Sequence, residues 1–118
     1  MRHQVTDADT ASAVGSGDVP VLATPRLIAW LEAATVVAAA PYLQPGQTTV
    51  GISIQIEHTR ASAVGTSVEI SAEAQPDDSG RRISFAVNAA DDTSQRLGGG
   101  TIIRAVVDRE RFVSSLRA

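Results

Sequence analysis

At 118 residues the chain has the length of a single domain, large enough for a real core but small for an enclosed active site. Its formal net charge of −3, with ten basic residues dispersed among thirteen acidic ones, argues against nucleic-acid binding, which calls for a basic patch. The absence of cysteine excludes disulfides, zinc–thiolate sites and a cysteine nucleophile.

The opening "MRHQVTDADTASAVG" has no apolar core, so no signal peptide is expected. Residues 2–14 carry weak strand signals, His3 falls near a terminus expected to fray, and "GSGDVP" reads as a loop. "TPRLIAWLEAATVVAAAPYL" then has the grammar of a helix. Thr24 suits the N-cap, Pro25 the first helical position, and Pro41 marks the end. Nearly every side is apolar or small, so the helix is expected to be buried. The apolar run is shorter than the roughly 20 residues that span a bilayer, so a soluble cytoplasmic protein with no membrane partner is expected.

After the "PGQ" turn the period changes to two. In "TVGISIQIEH" the alternation puts Val50, Ile52, Ile54 and Ile56 on one face, and Gly51, Ser53, Gln55 and Glu57 on the other. His58 follows the isoleucine row. "TSVEISAEA" alternates through Val68, Ile70, Ala72 and Ala74, and "ISFAVNA" through Ile83, Phe85 and Val87. "GGGTIIRAVV" makes a last strand, and Asp108 starts a short helix over "RERFVSSLR". One early helix followed by about four strands with hairpin-length connections predicts a single α+β domain over residues 1–118, an antiparallel sheet wrapped around one buried helix. One sheet cannot cover a helix that is apolar on most sides, so a dimer is expected.

Chemistry is concentrated in few residues. Glu32 is the only charged residue between Leu27 and Ala40, and a carboxylate in such surroundings must find a partner or a use. His58, at a strand end, makes a natural acid–base pair with a carboxylate. Thr24 lies at a helix N-terminus, which suits an oxyanion. On a straight helix the eight residues from Thr24 to Glu32 mean about 12 Å of rise, so the two cannot touch. A non-helical start at Thr24, a bridging substrate or water, or a meeting across a dimer would each resolve this, and the "ATP" triplet favours the first. The "GGG" at 98–100 marks a bulge or a close backbone approach.

The run "VLATPRLIAWLEAATVVAAAPYLQPGQTTVGISIQIEHTRASAVGTSVEISAEA", with "GRRISFAVNAAD" and "GGGTIIRAVVDRERF", resembles the fluoroacetyl-CoA thioesterase-like branch of the hotdog-fold thioesterases. The resemblance covers roughly residues 15–113 and rests on Thr24, a Glu eight positions on and a His twenty-six further. It implies a hotdog homodimer, open to higher assembly, that hydrolyses a small or medium acyl-CoA to the free acid and CoA. It implies Thr24, Glu32 and His58 as catalytic residues, Gly51 as the backbone N–H near the thioester carbonyl, and Arg104 near the CoA. No metal and no cofactor beyond the CoA thioester substrate is implied. Gly15 and Asp18 stand where that branch carries lid phenylalanines, and Ile102 and Ile103 replace a histidine and a glutamate. The resemblance therefore carries thioester hydrolysis but not selectivity for a fluorinated acyl group. The alternative is a non-catalytic acyl-CoA or small-lipid binder of the same fold.

Overall fold

The computed structural model describes residues 1–117. Five strands, β1 (Arg2–Gln4), β2 (Gln47–His58), β3 (Ser67–Pro76), β4 (Arg82–Asp91) and β5 (Arg96–Asp108), form one antiparallel sheet in the order β1-β3-β4-β5-β2. The helices are α1 (Ala11–Val14), α2 (Thr24–Ala39) and α3 (Arg109–Ser115). Alternation built the core as expected. Val68 and Ile70 of β3, and Ile83, Phe85 and Val87 of β4, are buried together with Leu27, Leu31 and Ala34 of α2. Asp108 caps α3, its carboxylate accepting the Arg111 N–H at 2.9 Å.

Three expectations are corrected. The first concerns connectivity, because β2 is not the hairpin partner of β3. It lies at the opposite side of the sheet beside β5, so the chain crosses the sheet between His58 and Ser67. The β2 strand thus pairs on one side only, and its other edge is free in the single chain.

The second concerns the N-terminus. Only Arg2–Gln4 is strand; a 3₁₀ turn at Asp7–Asp9 and the short α1 follow. His3 is not frayed: it pairs with Val68, and its ring stacks on Trp30 with centroids 4.4 Å apart and planes 5° from parallel. A second tie, Arg26 to Asp9 at 3.2 Å, fastens this segment to the start of α2.

The third concerns the face of β2. The register with β5 runs Gly51 to Arg104 and then Ser53 to Ile103, so Ile52 is an extra residue in a β-bulge. The bulge flips the parity of the strand. Thr49 and Gly51 before it, and Ile54, Ile56 and His58 after it, share the α2 side with Ile102 and Arg104. Val50 falls on the outer face, and Ile52 is 46% exposed.

The glycine run resolves as close backbone approach. A Cβ at Gly98 would run into the Glu57 carbonyl, and one at Gly100 into the Gln55 carbonyl. Gly100→Ala is therefore expected to destabilise the fold by about 1–3 kcal/mol, read as a lower urea midpoint.

Candidate active site

Helix α2 sets the site. Its N-cap is Ala23 in extended conformation, and Thr24 is the first helical residue, so the helix begins one residue earlier than the capping pattern suggests. Freed from capping, the Thr24 hydroxyl lies 2.8 Å from Nδ1 of His58, at the far end of β2. The helix runs without interruption to Ala39, so a non-helical start is excluded and Glu32 sits two turns beyond Thr24, about 12 Å along the axis.

Glu32 meets a different group. On β5, Arg104 occupies the α2-facing row between buried neighbours, with Ile102 two residues before it and Ile83 opposite it on β4. Its guanidinium turns inward, and the residue is only 8% exposed. Nη1 reaches Glu32 Oε2 at 3.4 Å, Nε donates to Thr49 Oγ1 at 2.8 Å, and Nη2 donates to the Thr49 carbonyl at 3.1 Å. Gly51, cross-strand from Arg104, completes the group. A Cβ there would lie 3.2 Å from Glu32 Oε2 and 3.5 Å from Arg104 Nη1, so the missing side chain leaves a slot open to both charges.

The five candidate residues therefore fall into two clusters: Thr24 with His58, and Glu32 with Gly51 and Arg104. From Gly51 to His58 is seven residues of strand, roughly 20 Å allowing for the bulge, so the clusters lie at separate places in one chain. Thr49 joins the second cluster unannounced by the sequence, since a threonine in a strand carries no signal of what it faces. Ile102, fully buried, belongs to the core under α2.

Beside the Thr24–His58 pair a cavity of about 230 Å³ opens, walled by Ala11, Ser16, Val21 and Leu22 from the N-terminal segment and by the loop after β2. His58 Nε2 is buried there without a hydrogen-bond partner. Which partner donates in the Thr24–Nδ1 bond follows the ring tautomer: the hydroxyl donates when the ring proton is on Nε2 and accepts when it is on Nδ1. Burial pushes the imidazole below its ordinary value of 6.5, partly offset by the Arg60 backbone, which favours the charged ring. Among the described residues no group of three or more His, Asp or Glu side chains is arranged to hold a metal, and no helix is long and apolar enough to cross a membrane.

A half-buried histidine tied to threonine, and a carboxylate tied to arginine beside a glycine, are groups that can polarise a carbonyl and attack it. Residues 5–110 match the family described as fluoroacetyl-CoA-specific thioesterase. The chain belongs to this family.

Membership makes it a thioester hydrolase. It is 39% identical over 97 residues to a fluoroacetyl-CoA thioesterase of Streptantibioticus cattleyicolor, covering 82% of this chain and 68% of the relative. A crystal structure of a phenylalanine-to-alanine mutant of the fluoroacetyl-CoA-specific thioesterase, in complex with fluoroacetate and CoA, superposes with a TM-score of 0.87 at 33% identity, covering 99% of this chain and 94% of that one. A hot-dog-like protein from Thermanaerovibrio acidaminovorans shares the fold at 17% identity, with a TM-score of 0.86 over 98% of this chain and 84% of its own. The hotdog architecture expected for the chain is the one it has.

For this thioesterase the lowered His58 value fixes the sign of a pH effect. The neutral ring is the form the fold accommodates. Its contribution to stability is therefore full above pH 6.5 and is lost as the pH falls through the lower folded value. Titration of the imidazole by NMR is expected to give a midpoint below 6.5, with His58→Gln removing that component of the pH dependence of stability.

Proposed function

We propose that this acyl-CoA thioesterase acts as a homodimer whose reacting centre takes Thr24 and His58 from one protomer and Glu32 and Gly51 from its partner, hydrolysing small to medium acyl-CoA thioesters to the acid and CoA. The carrying observation is the division of the candidate residues into two hydrogen-bonded clusters at separate places along an unbroken helix. Neither cluster alone holds both a carbonyl-polarising imidazole and an attacking carboxylate.

The surface supports assembly. β2 offers a free edge of twelve residues, the kind of edge that proteins cover or pair. Around it Val36 and Val37 of α2 are 52% and 62% exposed, and Ile52 and Ile54 are 46% and 41% exposed. A two-fold that pairs two β2 edges antiparallel lays the Gly51 end of one strand beside the His58 end of the other. It also covers the apolar flank of α2 left bare in the single chain.

In the chemistry, the acyl group lies in the cavity beside His58, whose volume of about 230 Å³ suits a short or medium chain. His58 Nε2–H and the Gly51 N–H donate to the thioester oxygen as it gains negative charge. Glu32 attacks the carbonyl carbon directly, or deprotonates a water that does. In the water route a C–O bond forms, the C–S bond breaks, and the proton held by Glu32 passes to the departing sulfur. In the direct route the mixed anhydride is opened by water, and the products are the same acid and thiol. Thr24 orients the imidazole through its 2.8 Å contact with Nδ1, and the tautomer in which that hydroxyl donates is the one that leaves Nε2–H for the substrate.

Activity against acyl-CoAs from acetyl to decanoyl, followed by free thiol, is expected to peak at a short or medium chain. A blank across the series with CoA binding retained would identify a binding protein instead. Glu32→Gln is expected to lower kcat by about a thousandfold while CoA still binds. The shared site has a sharper signature. Glu32→Gln and His58→Ala chains, each inactive alone, are expected to recover about a quarter of wild-type specific activity when co-assembled, because roughly half the dimers are mixed and each mixed dimer has one intact site. No recovery in verified mixed dimers would place the whole site within one chain.

A further inference from the structure

The buried end of Arg104 is held by a residue that has no part in the chemistry just described. Thr49 accepts from Arg104 twice, through its side-chain oxygen at 2.8 Å and through its carbonyl at 3.1 Å, and is itself 8% exposed. Those two contacts fix the guanidinium plane and leave Nη1 as the corner that meets Glu32 Oε2. We propose that Thr49 is a positioning residue: it seats Arg104 so that the guanidinium holds one oxygen of Glu32 and leaves the other to act on the thioester. The inference rests on the thioesterase reading of Glu32.

The seat is not needed to hold the strands together. β2 and β5 already pair from Gln47–Asp108 to His58–Gly98, and a guanidinium between them adds a desolvation cost that two aliphatic side chains would not. Nor is it needed for charge alone. A loosely held arginine would still pair with Glu32, but its long side chain would let the carboxylate rotate through several rotamers. The longer 3.4 Å reach from Nη1 to Oε2 makes the arrangement depend on how firmly the other nitrogens are fixed. The bulge at Ile52 enters here as well. It lies three residues after Thr49 and closes the stretch of β2 on which Thr49 and Gly51 share the α2 side, so seat and slot stand on one short piece of strand.

Thr49→Val keeps the branched shape and removes the hydroxyl. It is expected to lower kcat about 10- to 100-fold on the best acyl-CoA with KM changed less than about threefold, and to lower the melting temperature by several degrees because the buried Arg104 Nε–H loses its acceptor. Thr49→Ser, which keeps the oxygen, is expected to recover most of kcat. A second measurement does not depend on how well Thr49→Val folds. Guanidinium at millimolar concentration is expected to restore turnover to Arg104→Gly and to fail with Arg104→Gly combined with Thr49→Val. Wild-type kcat in Thr49→Val, or equal guanidinium rescue with and without the hydroxyl, overturns the role of Thr49 and leaves the thioesterase reading standing. Absence of turnover by the wild-type protein on every acyl-CoA overturns both.

Discussion

A carboxylate on the apolar helix α2 meets a guanidinium on the apolar face of β5, and the guanidinium, far more deeply buried than its partner, is the one that depends on the pair. Glu32 without Arg104 would be a lone charge over the α2-facing side of the sheet. Arg104 without Glu32 would be a buried cation in the row between Ile102 and Val106. Much of the surrounding structure follows from accommodating this pair. Gly51 has no side chain, so the two groups can approach the backbone of β2. Thr49 supplies the oxygens that the remaining face of the guanidinium requires. The core continues on either side, with Leu27 and Leu31 from the helix and Ile83, Phe85 and Ile102 from the sheet. The ion pair is thus a polar bridge through a largely apolar layer, as the Thr24–His58 contact is at the start of α2.

The bulge in β2 solves a problem of parity. Gly51 and His58 are separated by an odd number of residues, so in a regular strand they would point to opposite sides of the sheet. One extra residue at Ile52 brings both to the side of α2. The same strand then carries the slot at Gly51 near its middle and an imidazole at its end, opening on a common face. Pairing two such strands about a two-fold brings unlike ends together.

What was legible in the sequence was whatever has a local period or a local cap. The alternation of Val68 and Ile70 and of Ile83, Phe85 and Val87 specified the two central strands, and Asp108 announced α3. The Thr–Glu–His spacing singled out three residues that the fold holds in two separate hydrogen-bonded clusters, but it gave no sign of that division. A bulge has no periodic signature, so the alternating "TVGISIQIEH" was read straight through Ile52. His3 could not be placed from sequence because its partner, Trp30, lies on another element, and a stack between distant residues leaves no local trace. Thr24 satisfies the pattern of a cap, but Ala23 takes that position, and the hydroxyl's partner, His58, is 34 residues away. Arg104 posed the same difficulty. On alternation it shares a face with the buried Ile102, yet what answers its charge comes from Thr49 and Glu32, 55 and 72 residues away.

The energetics of the pair also bear on whether the fold catalyses or only binds. A binding protein needs a cavity, and the space beside Thr24 and His58 supplies one without any help from Glu32 or Arg104. Aliphatic side chains in place of the ion pair would cost nothing in desolvation and would pack as well or better against Leu31 and Ile102. Similar reasoning applies to His58, an imidazole that burial disfavours in its charged form and that the fold nonetheless holds against Thr24 at the wall of that cavity. Two independent polar groups are therefore kept at a desolvation cost, one in a half-open ion pair and one as a half-buried ring. The thioesterase reading accounts for that cost, and a binding pocket, which needs only the cavity, does not.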